Sequence, residues 1–138
     1  MKLLVSACLL GLPCRYDGAS KPCPKVLALK EKHTLIPVCP EQLGGLSTPR
    51  EPCELQKGYA RTQKGRDCTP QYSLGAQKAW KIYQENACQG AILKAKSPSC
   101  GKGWVYDGTF SRQLIPGNGI ACQYLLDRGV AVKTEEEL

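Results

Sequence analysis

Four short apolar runs constrain this chain more than any other feature: KLLVSA at 2–7, TLIPV at 34–38, GAILKA at 90–95 and GVAVK at 129–133. Each is nearly continuous rather than alternating. A strand with one wet face alternates, whereas a strand covered on both faces does not, so these runs read as buried parallel strands. Helical patterns separate them. A short one is expected over 24–32, with Val26, Leu27 and Leu29 apolar. The strongest spans 70–87, where Tyr72, Ala76, Ala79, Trp80, Tyr83 and Ala87 share one face, Thr69 is placed to cap and Pro70 suits the first helical position. A third covers 119–128, with Ile120, Ala121, Tyr124 and Leu125 inward and Gly129 at its end. Strands alternating with helices predict an α/β domain over 1–138. It would be built on an open, mainly parallel four-stranded sheet flanked by helices, Rossmann- or flavodoxin-like. Two segments depart from the repeat. Residues 44–67 form a long polar excursion expected to hold a short hairpin, and WVYDGTF at 104–110 carries the Asp-Gly signal of a tight one.

The nine cysteines lie at 8, 14, 23, 39, 53, 68, 88, 100 and 122, with no C-x-x-C among them. That spacing argues against a thioredoxin-type pair, a zinc ribbon and the dense ferredoxin run. A chain of 138 residues buries enough surface to fold without disulfides. The apolar start, about five residues before Cys8, is short for a secretory signal, and no run approaches the roughly 18 residues of a membrane span. The chain is therefore expected in the cytoplasm, away from membranes, with reduced thiols. Its formal charge of +7 could favour anionic partners. The densest basic patch, Lys57, Arg61, Lys64 and Arg66, lacks the interleaved aromatics of a base-stacking surface.

In open α/β sheets, ligands bind beyond the carboxyl ends of the strands. Three cysteines fall there: Cys8 after the first strand, Cys39 after the second, and Cys100 just past the third in KSPSCG. Three thiolates on three loops, without an equivalent fourth, point to a cubane iron–sulfur cluster with one iron free of protein ligation. Zinc on three cysteines is the other metal that fits. Cys122 and Cys88 read as packing. Cys14, Cys23, Cys53 and Cys68 sit in loops and helix starts; each could be a ligand, but none has the strand-end setting. His33, the only histidine, precedes the second strand at the opposite end and reads as a surface residue. Glu41, two residues past Cys39, could act as a general base or bind a ring N–H; equally it could cap a turn or pair with Arg50. Ser97 and Ser99 could donate to a substrate or shape the turn before Cys100. Arg15, Asp17 and Lys21 could bind substrate or close their loop by ion pairing. No P-loop, no G-x-G-x-x-G and no Ser-Gly-Gly-x-Asp-Ser run is present, so ATP-driven chemistry has no support.

The segments VSACLLGLPCRYDG (5–18), PVCPEQLGGLSTPR (37–50), KSPSCG (96–101) and YDGTFSRQLIPGNGIAC (106–122) together resemble the thiouracil desulfidases, a family of small bacterial domains. The resemblance covers essentially the whole chain; the stretch 50–58 with Cys53 departs from the family pattern. It implies a 4Fe–4S cluster held by Cys8, Cys39 and Cys100, with Glu41 and Ser97 as active-site groups. It further implies non-redox hydrolysis of a thiolated nucleobase such as 2- or 4-thiouracil, releasing uracil and hydrogen sulfide. A thiolated nucleoside or RNA is a further candidate substrate. Two other classes stay open at this stage: an iron–sulfur sulfur-transfer or electron-carrier protein, and a zinc-bearing RNA-binding module.

Overall fold

The computed structural model describes residues 1–138. The strands are β1 (Lys2–Ser6), β2 (Thr34–Val38), β3 (Cys53–Gln56), β4 (Tyr59–Thr62), β5 (Gly90–Leu93), β6 (Trp104–Tyr106), β7 (Leu114–Pro116) and β8 (Val132–Thr134). The α-helices are α1 (Pro24–Ala28), α2 (Pro40–Leu43), α3 (Thr69–Glu85) and α4 (Ile120–Asp127). β1, β2, β5 and β8 form one parallel sheet in the order β2-β1-β5-β8. All four apolar runs thus supply its strands, and the expected fold class holds.

Both faces of the sheet are covered, which explains the continuous apolar runs. Leu4, Ala91, Leu93 and Val132 face α3 and α4, where they pack with Ala79, Cys122 and Leu125. Leu3, Val5 and Ile92 face the other way, onto Leu9 and Val26. A third cluster joins Cys53, Leu55, Ala60 and Cys68 to Tyr72 and Val105 beneath the hairpins. Cys122 is fully buried and Cys88 is buried in the main core, both as packing residues.

Several local expectations are corrected. The segment 24–32 is not one helix: α1 gives way to a 3₁₀ turn at Leu29–Glu31. Thr69 does not cap α3. Cys68 holds that position, and the Thr69 hydroxyl instead accepts from the Ala60 N–H at 2.9 Å while Asp67 Oδ1 accepts from the Thr69 N–H at 2.9 Å. The last strand starts at Val132 rather than 129, because Gly129 takes a positive φ (81°) to leave α4. The excursion at 44–67 does hold a hairpin, β3–β4, turning at Lys57-Gly58. The Asp107-Gly108 pair, however, is not the tight turn of β6–β7. Asp107 Oδ1 accepts from the Thr109 N–H at 3.0 Å, Gly108 donates to Glu54 at 3.0 Å, and the chain returns only at Leu114.

Candidate active site

The strand order places β1 between β2 and β5. The chain leaves β1 toward one edge and later returns to pair on its other side, so the switch point lies at the carboxyl ends of β1 and β5, where such sheets open a crevice. Ser6 marks it: its hydroxyl accepts from the Lys94 N–H at 2.9 Å, joining the two strand ends.

Each loop at this edge is held by backbone contacts. After β1 the chain enters a 3₁₀ turn, Ala7–Leu10, closed by Gly11 at φ 93°. Cys8 sits in that turn, buried, and its carbonyl accepts from the Lys21 N–H at 3.0 Å, which folds the loop 11–22 back over the strand end. After β2, Cys39 is the N-cap of α2, with Pro40 and Glu41 in the first turn. α2 lies directly on α3. A Cβ on Gly75 would stand 1.8 Å from the Pro40 carbonyl oxygen, and one on Gly44 would stand 1.9 Å from the Gln71 carbonyl oxygen. Only hydrogen at both positions permits this backbone-to-backbone approach. After β5, the Ser97 hydroxyl accepts from the N–H groups of Ser99 (3.1 Å) and Cys100 (3.0 Å). The start of α4 then donates into the same loop: Gly119 N–H to Gly101 O at 2.7 Å, Ile120 N–H to Pro98 O at 2.9 Å, and Cys122 N–H to Ser99 O at 3.0 Å. These bonds satisfy N–H groups that a helix start otherwise leaves unpaired.

The side chains converge. Cys39 Sγ donates to the Cys14 carbonyl at 3.6 Å, and the Cys14 thiol lies against those of both Cys8 and Cys39. Cys100 lies against Ser6, with Glu41 and Cys39 as its next electrostatic neighbours. Burial pushes the Cys100 thiol up to about 12. Hydrogen bonding with Cys14, then burial, raises Cys39. At Cys14 the bond from Cys39 pulls downward, yet the bond to Cys8, burial and the charge of Cys8 outweigh it and lift the thiol to about 11. These groups keep their protons until a thiophilic metal replaces them, so loading the site releases protons. An all-sulfur donor set on three rigid loops suits an iron–sulfur cluster.

Glu41 meets Arg50. Arg50 Nε and Nη2 both donate to Glu41 Oε2, at 2.8 and 2.5 Å, with the Arg50 side chain only 8% and that of Glu41 14% exposed. Tyr72 is buried on α3; burial and then the Glu41 carboxylate raise its phenol. Beside it, Cys53 and Cys68 form a second thiol pair in the hairpin cluster, with Cys53 pushed up to about 12 by burial and then by Cys68.

The sequence-derived residues divide accordingly. Cys8, Cys39, Cys100, Glu41 and Ser97 come to the same edge of the sheet. Ser99 is fully buried, with its hydroxyl unpartnered. In the loop 11–22, Asp17 and Lys21 are exposed and Arg15 is half-buried. No ion pair closes that loop; Asp17 Oδ1 accepts from the Ala19 N–H at 3.0 Å, and Arg15 stacks over Tyr16. His33 is half-buried at the opposite end of the sheet, beside Lys2, Lys30 and Lys32. Sequence reasoning missed Cys14, which the back-folded loop brings to Cys8 and Cys39. It also missed the extent of the Arg50 contacts and the presence of Tyr72.

A model of the 2-thiouracil desulfurases matches residues 3–137. The chain belongs to this 2-thiouracil desulfurase family. A second comparison finds the Bacillus subtilis (strain 168) protein YbbK, itself uncharacterized, 40% identical over 146 residues that cover 99% of this chain and 97% of that protein. Among solved structures, the [4Fe-4S]-dependent thiouracil desulfidase TudS superposes with a TM-score of 0.93 at 40% identity, over 99% of this chain and 92% of that one. The 2-thiouracil desulfurase fold is therefore the fold of this chain. No helix is long and apolar enough to cross a membrane.

Proposed function

We propose that this protein is a [4Fe-4S]-dependent thiouracil desulfidase, a single cluster-binding domain over 1–138 that acts in the cytoplasm on a small thiolated nucleobase. The observation that carries this reading is the meeting of three cysteine loops and one carboxylate at the switch point of a fold shared with TudS. Cys8, Cys39 and Cys100 would hold the cluster. When bound, a cluster with one iron free of protein ligation supplies a Lewis acid that polarises a thiocarbonyl sulfur.

The chain's own residues supply the rest. Glu41 Oε2 is occupied by Arg50, whereas Oε1 accepts from no protein group. Oε1 is therefore the atom that takes a proton from the attacking water. Ser97 has both lone pairs engaged by the N–H groups of Ser99 and Cys100, so its remaining function is to donate its O–H toward the ring or the charge developing there. In balance, C=S and water become C=O and hydrogen sulfide, without net oxidation or reduction.

The test is anaerobic assay of the reconstituted protein on 2- and 4-thiouracil, with uracil and sulfide both quantified. The expected result is equimolar release of the two. Parallel arms with thiouridine and a thiolated RNA oligonucleotide place the natural substrate, and faster turnover on either would move the proposal from the free base to that form. A loaded cluster with reversible one-electron chemistry and no sulfide release would favour an electron carrier instead.

A further inference from the structure

We propose that Arg50 is a positioning residue of the desulfidation site: it fixes which oxygen of Glu41 faces the substrate and ties that carboxylate to the cysteine loops. The inference rests on the reading of Glu41 as the base.

The geometry of the pair differs from that of an ordinary structural ion pair. Arginine and a carboxylate commonly meet fork to fork, with two parallel bonds to two oxygens. Here Nε and Nη2 both end on Oε2, at 2.8 and 2.5 Å, and Oε1 is left without a protein partner. The remaining N–H groups are also committed. Nη1 donates to the Ser47 carbonyl at 3.1 Å and the Thr48 hydroxyl at 3.0 Å. Nη2 donates in addition to the Cys14 carbonyl at 3.0 Å. That carbonyl is the one that accepts the Cys39 thiol. The Arg50 backbone N–H donates to the Tyr16 carbonyl at 2.7 Å, which anchors the loop 11–22 as well.

Guanidinium carries five N–H donors in a rigid plane, and all of them have partners here. Such a group cannot turn, and neither can a carboxylate held through one of its oxygens. One buried side chain therefore sets the position of Glu41 relative to two of the cysteine loops. Lysine offers the charge without the fork. Glutamine offers neither the charge nor the reach.

The experiment is a double-mutant cycle on anaerobically reconstituted protein with 2-thiouracil: wild type, Arg50→Gln, Glu41→Gln and the double variant, with Arg50→Lys alongside. Iron and labile sulfide content and melting temperature are measured for each. We expect Arg50→Gln to keep its cluster and lose about 10²-fold in kcat, with KM within about threefold, as a misplaced catalytic group does. Arg50→Lys should fall between that variant and wild type. In the Glu41→Gln background, Arg50→Gln should cost little more. A kcat for Arg50→Gln within about twofold of wild type would overturn the proposal, as would an equally large loss in the Glu41→Gln background. So would failure of both Arg50 variants to take up a cluster, because the role would then be structural. Should Glu41→Gln itself turn over like wild type, the base reading fails first, a result distinct from any of these.

Discussion

Gly75→Ala is the sharpest test of how the fold positions the site. The added Cβ would stand 1.8 Å from the Pro40 carbonyl oxygen and 2.7 Å from its carbonyl carbon, both backbone atoms that no side-chain rotation can clear. Ordinary contact is about 3.4 Å, so α2 must move off α3 by about 1.5 Å. Cys39 caps that helix and Glu41 lies in its first turn, so both move with it. Overpacking of this kind costs about 1–3 kcal/mol. Alanine in a helix interior recovers about 1 kcal/mol over glycine. The net, about 0–2 kcal/mol, lowers the melting temperature of a chain this size by at most roughly 7 °C. The effect on turnover is much larger, since a displacement of about 1 Å at a reacting group costs about 10²-fold. The assay pairs thermal melts with kcat/KM on 2-thiouracil, using exposed Gln77→Ala on the same helix as the control. Wild-type kcat/KM in a folded Gly75→Ala protein would refute the claim that the α2–α3 contact sets the geometry.

Other expectations follow from the same contacts. Cys8→Ala, Cys39→Ala and Cys100→Ala should each lose cluster and activity together, read as iron and labile sulfide. Glu41→Gln should keep the cluster while kcat falls by about 10²–10⁴-fold, the usual contribution of a positioned base. Gly119→Ala would put a Cβ 2.4 Å from the Ser99 carbonyl carbon and 2.8 Å from the Cys100 nitrogen, so reduced cluster occupancy is expected. Burial raises the Cys122 thiol from 9.0 to about 11 in the folded chain. Between those values the native state binds more protons than the unfolded one, so stability should fall as the pH rises from about 9 to about 11. Denaturation curves across that range should show a shallower decline in Cys122→Ala.

The sheet was legible because burial on both faces leaves a direct mark on composition. TLIPV coincides with β2, and the other runs miss by only a few residues at their ends. The strand-end placement of three cysteines was legible for the same reason: once the strands are parallel, Cys8, Cys39 and Cys100 must share an edge. What escaped depends on contacts with no local signature. Cys14 reaches Cys8 and Cys39 because Lys21 and Cys23 donate back onto the first turn, and nothing in LPCRYDG announces that fold-back. Asp107-Gly108 carries the tight-turn signal, but Glu54, more than fifty positions earlier, claims its backbone. Gly44 and Gly75 stand out only when α2 and α3 are seen to touch. A pairing of Glu41 with Arg50 and a role for Glu41 as a base were both open in the sequence. In the structure the two are compatible, because the ion pair uses one carboxylate oxygen and leaves the other.

The central claim is tested most directly by iron and acid-labile sulfide analysis of anaerobically purified protein, followed on the same sample by turnover of thiouracil. The account predicts about four irons and four sulfides per chain, as in a [4Fe-4S] cluster, and uracil and sulfide released in equal amounts. Zinc without iron or labile sulfide would contradict the cofactor, and a fully loaded cluster that releases no sulfide from either thiouracil would contradict the reaction.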